Sequence, residues 1–405
     1  MAHRMDDYAN IVGEEVLYEI YKNARLLCGK SIVNINSTYY GGGVVEILSA
    51  LVPLMNDAGI ETGWRHLRGT PEFFKITKKF HNALQGDPIH FTDIKKLLYI
   101  EANEDFSMYN HLNHNCIIIH DPQPLPLIKF YKKKQPWIWR VHIDFSHPNK
   151  DLWDYLRNYV LRFDAVIVSH EEYKKNDLPV DQHIIHPAID PLSPKNVNIS
   201  EKIIDRTLRK YKVPLDKPFI CQISRFDKWK DPEGVVDVYR LVKEKIDCRL
   251  VLCGSTATDD PESSTTYERL RRKANSDIKK EDVILLTLSD NILVNALQRR
   301  AAVIVQKSLR EGFGLTVTEG LWKGRPVVAS NIGGIPLQID DGENGFLIPP
   351  DDIDQYADAI IDILKNKKIG EKFAVTGPAV VREKFLITRL CIDYLNLINN
   401  LLAKH

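Results

Sequence analysis

At 405 residues the chain is too long for one ordinary hydrophobic core, so two domains of similar size are expected. Hydrophobic residues at 44% and charged residues at 27% are a globular protein's proportions, and 55 Lys and Arg against 54 Asp and Glu leave a formal charge of +1, with no long-range field favouring nucleic acid. No apolar run reaches membrane-spanning length and the acidic N-terminal segment lacks the apolar core of a signal peptide, so a cytoplasmic protein is expected. Cys28, Cys116, Cys221, Cys248, Cys253 and Cys391 are scattered, without a Cys-x-x-Cys pair or a His at ligand spacing. They read as reduced core thiols, although the closeness of Cys248 and Cys253 leaves a redox pair open.

Apolar positions at helical spacing (Ile11, Val16, Leu17, Ile20, Tyr21, Ala24, Leu27) predict an amphipathic helix over Asn10 to Cys28. Ser31 to Asn36 reads as a short buried strand, and Gly41-Gly42-Gly43 leads from it into an apolar helix over Val44 to Ala58. Residues without Cβ let a backbone approach a ligand, so this is either a phosphate or substrate loop or merely a tight connection; it does not match Gly-x-Gly-x-x-Gly. Glu61 to Leu67 reads as a strand and Glu72 to Leu84 as a helix, with Phe73, Phe74 and Phe80 assigned to the core. The strand Cys116 to His120 ends in His120-Asp121-Pro122-Gln123-Pro124, and the strand Trp137 to Val141 carries Arg140 and delivers His142, Asp144 and His147. Polar groups just past the carboxyl ends of strands stand where open α/β sheets bind ligands. Alternation puts His142 and Asp144 on one side if the strand continues. Structural histidines and functional ones both remain open, and the absence of a ligand repeat argues against a metal. Ala165 to Ser169 is the next strand, and the proline-rich connection Pro179 to Pro194 marks the domain boundary and a hinge.

The second half begins with the strand Pro218 to Ser224, which runs into Ser224-Arg225-Phe226-Asp227-Lys228-Trp229-Lys230-Asp231-Pro232. Arg225 and Lys230 suit a diphosphate, one as a planar fork and one as a mobile point charge, while Asp231-Pro232 supplies the cap and first residue of a helix. A solvated charged turn is the competing reading. Strands at Arg249 to Gly254, Val283 to Leu286 and Val303 to Gln306, with a helix over Asn291 to Ala302, indicate parallel βαβ units. Then comes Glu311-Gly-Phe-Gly-Leu-Thr-Val-Thr-Glu-Gly320, with two carboxylates flanking glycines at the start of a helix near Leu315. Apolar run, glycines and helix N-terminus present backbone amides to an anion, and a phosphate is the expected guest. Pro326 to Ser330 is a strand, Gly333-Gly334 a turn, Asp341 to Gly345 a hairpin-like turn before the strand Phe346 to Ile348, and helices follow over Asp354 to Leu364 and Arg389 to Leu402.

Ser224-Arg225-x4-Lys230, Glu311-x7-Glu319, Gly324-x-Pro-Val-Val-Ala-Ser330, Gly333-Gly334 and Asp341-Gly-x-Asn-Gly345, in this order, resemble the donor domain of retaining, nucleotide-sugar-dependent glycosyltransferases of the GT-B fold, the family of glycogen and sucrose synthases. Tyr40-Gly-Gly-Gly-Val44, His120 to Pro124, Trp139 to Ser146 and Arg310 to Glu319 extend the likeness over nearly the whole chain, to the trehalose glycosyltransferring synthases of archaea and bacteria. The resemblance implies an α/β architecture of two Rossmann-like domains facing across a cleft. Residues 1–190 would form the acceptor side and 191–387 the donor side, with the C-terminal helix 388–405 packing back on the first. It implies reversible synthesis of α,α-trehalose from a nucleoside diphosphate glucose and free glucose.

Carried onto these positions, the family's roles make Glu311, His142, Arg225 and Lys230 catalytic. Gly42, Gly43, Arg225, Lys230, Gly314, Leu315 and Thr316 would hold the diphosphate and Glu319 the ribose hydroxyls. His120, Asp121, Arg140, His142, Asp144, Glu311, Gly312 and Phe313 would line the sugar sites. No tightly bound cofactor or metal is implied; Mg2+ is weighed as a diphosphate counterion, and a homodimer without nucleic-acid or membrane partners is expected. Gly320 departs from the family's usual Ala, which costs the helix about 1 kcal/mol. Two alternatives stand beside this reading. One is a different acceptor, a glucan or a sugar phosphate met by Lys132-Lys133-Lys134; the other is a non-catalytic nucleotide-sugar sensor.

Overall fold

The computed structural model describes residues 3–38, 42–254, 261–287 and 290–405. Gly41 of the triple glycine lies outside the described residues. The chain divides into two units, Met1–Asp190 with Leu386–His405, and Pro191–Phe385.

In the first unit the strands β1 (Ser31–Asn36), β2 (Glu61–His66), β3 (Cys116–His120), β4 (Trp137–Arg140), β5 (Ala165–Val168) and β6 (Asp181–Ile184) form one parallel sheet in the order β2-β1-β3-β4-β5-β6. Around it lie α1 (Ala9–Val12), α2 (Glu14–Arg25), α3 (Gly43–Asp57), α4 (Pro71–Leu84), α5 (Asp93–Tyr109) and α6 (Lys150–Val160). Strand alternation sorts the sheet into two faces. Val33, Ile35, Ile117, Ile119, Trp137, Trp139, Val166 and Val168 join the aromatic core beneath α4, α5 and α6. The opposite face carries three polar residues in a row near the strand ends, Asn34, His120 and Arg140, all buried.

In the second unit α7 (Glu201–Lys210) precedes β7 (Phe219–Ile223), α8 (Pro232–Lys243), β8 (Arg249–Gly254), α9 (Pro261–Lys273), α10 (Asn275–Lys279), β9 (Val283–Thr287), α11 (Asn291–Arg300) and β10 (Val303–Gln306). There follow α12 (Leu315–Trp322), β11 (Val327–Ser330), β12 (Phe346–Ile348), α13 (Ile353–Lys365) and α14 (Lys367–Lys384), while α15 (Ile387–Leu402) belongs to the first unit, against α2 and α3. The sheet is again parallel, in the order β12-β11-β10-β7-β8-β9.

Both sheets reverse their winding once, between β1 and β3 in the first unit and between β7 and β10 in the second. Loops leaving the two strands at such a point run in opposite directions and open a crevice, which is where ligands bind open α/β sheets.

Several expectations change. Gly13, with φ of +86°, splits the single helix expected over residues 10–28 into α1 and α2. β4 stops at Arg140, so strand alternation no longer relates His142 to Asp144. Cys28 is exposed rather than a core thiol; all six cysteines are free, and Cys248 and Cys253 are buried. No described helix is long and apolar enough to cross a membrane.

Candidate active site

The second unit's switch point gathers two loops rich in charged side chains. β7 feeds Arg225 to Lys230 and β10 feeds Lys307 to Gly314, and the two strands are hydrogen-bonded neighbours. Lys230 Nζ meets Glu311 Oε2, which also accepts Ser308 Oγ at 3.1 Å and Gln306 Nε2 at 3.2 Å. Gln222, buried on β7, ties both loops together. Its amide nitrogen donates to the Lys230 carbonyl at 2.9 Å and its oxygen accepts the Lys307 N–H at 3.0 Å. Lys307 in turn forms a buried ion pair with Asp231, which sits in the left-handed region (φ +39°) and caps α8 through Gly234 N–H at 3.0 Å. Arg225 is half exposed and its guanidinium pairs with Asp227 at 3.1 Å.

α12 starts at Leu315, as its glycines indicate, with Gly314 at φ +88° as N-cap and no side chain capping the first turn. Leu315 and Thr316 thus offer unsatisfied amides at a helix N-terminus, which favours an anion. The Thr316 hydroxyl is turned back to the Ile223 carbonyl at 3.2 Å. A Cβ on Gly314 would lie 3.3 Å from Glu311 Cγ, so the Glu311 side chain is packed against this helix start.

The loop is held from behind by amides that carry no sequence signature. Gln338 Nε2 donates to the Phe313 carbonyl at 2.6 Å, its oxygen accepts Thr318 Oγ1 at 2.6 Å, and Asn344 of the Asp341 to Gly345 turn donates to the Gln338 carbonyl at 3.0 Å. Gly334 touches the same loop; a Cβ there would stand 2.6 Å from the Gly312 carbonyl oxygen. One turn into α12, buried Glu319 accepts Gln298 Nε2 at 2.7 Å on one oxygen and faces Lys195 Nζ at 3.3 Å on the other. Sequence reasoning missed Lys195, Gln222, Gln298, Gln306, Ser308 and Gln338, because each reaches the site through pairing that only the folded sheet creates.

At the first unit's switch point, His120 Nδ1 lies 2.9 Å from His142 Nε2 and His120 Nε2 lies 3.0 Å from Asn34 Oδ1. Asp121, left-handed at φ +62°, accepts the His142 backbone N–H at 2.9 Å. Burial pushes both imidazoles below their usual range, reinforced by the Arg140 cation, His120 down to about 3 and His142 well down. Asp144 is turned inward, accepting Ser146 Oγ at 2.6 Å and Ser146 N–H at 3.0 Å. Gly42, at φ +83°, caps α3 and Gly43 opens it, so the helix start here also lacks a side-chain cap.

Two expected sugar contacts are corrected. Arg140 is 1% exposed and donates to the Ile185 carbonyl at 2.7 Å and to Val168 and Ser169 at 3.3 Å, which makes it a strap across β4, β5 and the segment after β6. The Phe313 ring is buried against Phe385, with centroids 5.4 Å apart. Among the described residues no group of three His, Cys, Asp or Glu is placed to hold a metal ion.

Residues 34–175 match the family described as trehalose synthase, N-terminal domain, and residues 204–379 match glycosyl transferases group 1. The chain is 45% identical over 404 residues to the trehalose synthase of Thermococcus litoralis, covering 98% of this chain and 97% of that one. It is 42% identical over 408 residues to the trehalose synthase of Rubrobacter xylanophilus, covering 98% and 97%. Among solved structures, a trehalose-6-phosphate synthase superposes with a TM-score of 0.75 over 91% of this chain and 98% of that one; at 14% identity the likeness concerns the fold, which is GT-B.

Proposed function

The chain belongs to the trehalose synthase family of glycosyltransferases, and from that premise we propose that it transfers glucose from a nucleoside diphosphate glucose to free glucose, reversibly and with retention, giving α,α-trehalose. The observation that carries the reading is the Lys230 and Glu311 pair beside the uncapped start of α12. Cation and amides suit a diphosphate, and the carboxylate suits sugar hydroxyls.

In this proposal, cleavage of the bond between the anomeric carbon and the diphosphate oxygen leaves an oxocarbenium-like sugar and a growing negative charge on the leaving oxygen. Lys230, Arg225 after release from Asp227, and the amides of Leu315 and Thr316 offset that charge. The leaving phosphate takes the proton of the attacking hydroxyl on the same face of the ring, so the configuration is retained without a covalent adduct. Trapping a glycosyl-enzyme on any carboxylate would contradict this step. Glu319, with Gln298 and Lys195 fixing its two oxygens, keeps lone pairs for the ribose hydroxyls. Gly42 and Gly43 add backbone amides, and Mg2+ would accompany the diphosphate, not a protein cluster. His142, His120, Asp121 and Asp144 serve the sugar side from the first unit, Asp121 through the backbone of His142.

Labelled donor incubated with glucose, glucose 6-phosphate and a maltooligosaccharide in separate reactions tests this. Labelled α,α-trehalose and an equal amount of nucleoside diphosphate are expected with glucose alone. Product only with the phosphorylated sugar would move the assignment to another acceptor, although Lys133 of the basic cluster is already committed to Asp164 at 2.7 Å. Donor binding with no diphosphate released by any acceptor would indicate a sensor.

A further inference from the structure

Asn34, His120 and His142 form a line of hydrogen bonds that the reaction scheme leaves unexplained. The register of the sheet creates it: Asn34 on β1 pairs with Ile118 on β3, and His120, two residues on, projects from the same face. The strand-end loop after β4 then sets His142 edge to edge with His120, with ring centroids 5.2 Å apart and planes 19° from parallel. Asn34 is fully buried and His120 is 1% exposed, so the line runs from the sheet interior outward to His142.

Its polarity can be counted. With the amide turned so that Oδ1 faces His120, Asn34 can only accept and His120 Nε2 carries the hydrogen; the buried Asn34 Nδ2 has no partner among the described residues. Burial and the Arg140 cation hold both rings neutral, and a neutral imidazole has one N–H. His120 Nδ1 is therefore a lone pair, His142 Nε2 must donate to it, and His142 Nδ1 is left as a lone pair. That nitrogen bonds to none of the described residues, and it is not among the buried atoms lacking a partner. Turning the Asn34 amide over would reverse every donor in the line, so the amide stores the choice.

We propose that Asn34 and His120 are positioning residues that set His142 as a neutral hydrogen-bond acceptor at Nδ1, ready to receive one hydroxyl of a bound glucose; this rests on the reading of His142 as a sugar contact. An imidazolium in that place would oppose the positive charge developing on the sugar ring. A neutral acceptor holds the hydroxyl without that penalty, and it selects for a group that can donate.

The test has two arms on the full chain. Long-range 1H–15N spectra of protein with 15N-labelled histidine report which ring nitrogen of His142 bears hydrogen at neutral pH. Hydrogen on Nε2 alone is expected, with mixed tautomers in Asn34→Leu and the wild-type pattern retained in Asn34→Asp, whose carboxylate keeps an acceptor facing His120. Hydrogen on Nδ1 in the wild type overturns the proposal. In the second arm, deoxy and deoxyfluoro glucoses are compared position by position. One position should lose about tenfold in kcat/KM, with fluorine no better than hydrogen because fluorine cannot donate. That discrimination should vanish in His142→Phe and shrink in Asn34→Leu. If the tautomer holds but no sugar position answers to His142, its acceptor role and the sugar placement fail, while trehalose synthesis is judged separately by the labelled-donor assay.

Discussion

Replacing Glu311 by Gln keeps the size of the side chain and removes its charge, and donor turnover and diphosphate binding should respond in opposite directions. In the free protein Oε2 of Glu311 takes Lys230, Ser308 and Gln306 together, with 10% and 14% side-chain exposure for Glu311 and Lys230. Hydrogen bonds to a charged group contribute roughly 1.5–3 kcal/mol each, and the substitution weakens the one that sugar hydroxyls would make by a comparable amount. At about 1.4 kcal/mol per decade, kcat/KM for the donor should fall about 10- to 150-fold. Nucleoside diphosphate without the sugar should bind as well as before or better, because Lys230 loses its intramolecular competitor. Initial rates and titration calorimetry on the same preparation measure both. Diphosphate affinity falling in parallel with kcat/KM, at unchanged melting temperature, would refute the division of labour between Glu311 and Lys230.

Other predictions follow from neighbouring contacts. Gly334→Ala should lower both stability and kcat/KM, since its Cβ would stand 2.6 Å from the Gly312 oxygen and 2.8 Å from Phe313 Cα, both backbone; overpacking of this kind costs about 1–3 kcal/mol, read from the denaturant midpoint. Gly320→Ala should be nearly neutral by the same measurement, because about 1 kcal/mol of helix propensity offsets the crowding of two side-chain methyls, Ile304 Cδ1 at 2.9 Å and Val327 Cγ2 at 3.0 Å. Below pH 6.5 the unfolded chain takes up a proton at His120 that the folded chain refuses down to about pH 3. Stability is thus complete above that window and falls as the pH drops through it, by about 1.4 kcal/mol per unit; His120→Gln should flatten the slope by one proton, as denaturant titrations at several pH values would register. Gln298→Leu should weaken binding of a nucleoside diphosphate more than binding of pyrophosphate, because it frees only the carboxylate assigned to the ribose.

The chain shows its sheets more openly than its helices. β1, β3, β8, β10 and β12 stand where their short apolar runs place them, because buried parallel strands need continuous hydrophobic sequence. β6 lies within the stretch read as a proline-rich connection: Asp181 to Ile184 form an edge strand with no buried residue and so no strand pattern. α5 carries apolar residues both inward, at Tyr99 and Phe106, and outward, at Ile94, Leu97, Met108 and Tyr109, which erases its periodicity. α14 contains Pro378 and the close-packing Gly377, whose Cβ would meet the Leu321 carbonyl oxygen at 3.1 Å. Within the site, Glu311, Lys230 and the α12 start were legible because glycines and charges at strand ends are uncommon together. Gln222, Gln298, Gln338 and Asn34 were not, since a buried amide acquires its role only from partners far away in sequence. Arg140 misled for a related reason: a strand-end arginine looks like a ligand group until its carbonyl partners are seen.

The most direct measurement is a crystal of the protein soaked with nucleoside diphosphate and glucose together. The account predicts the diphosphate on Lys230, Arg225 and the Leu315 and Thr316 amides, the ribose on Glu319, and glucose with one hydroxyl donated to His142 Nδ1. A diphosphate bound elsewhere, with Lys230 still paired to Glu311 and the start of α12 facing solvent, would contradict it.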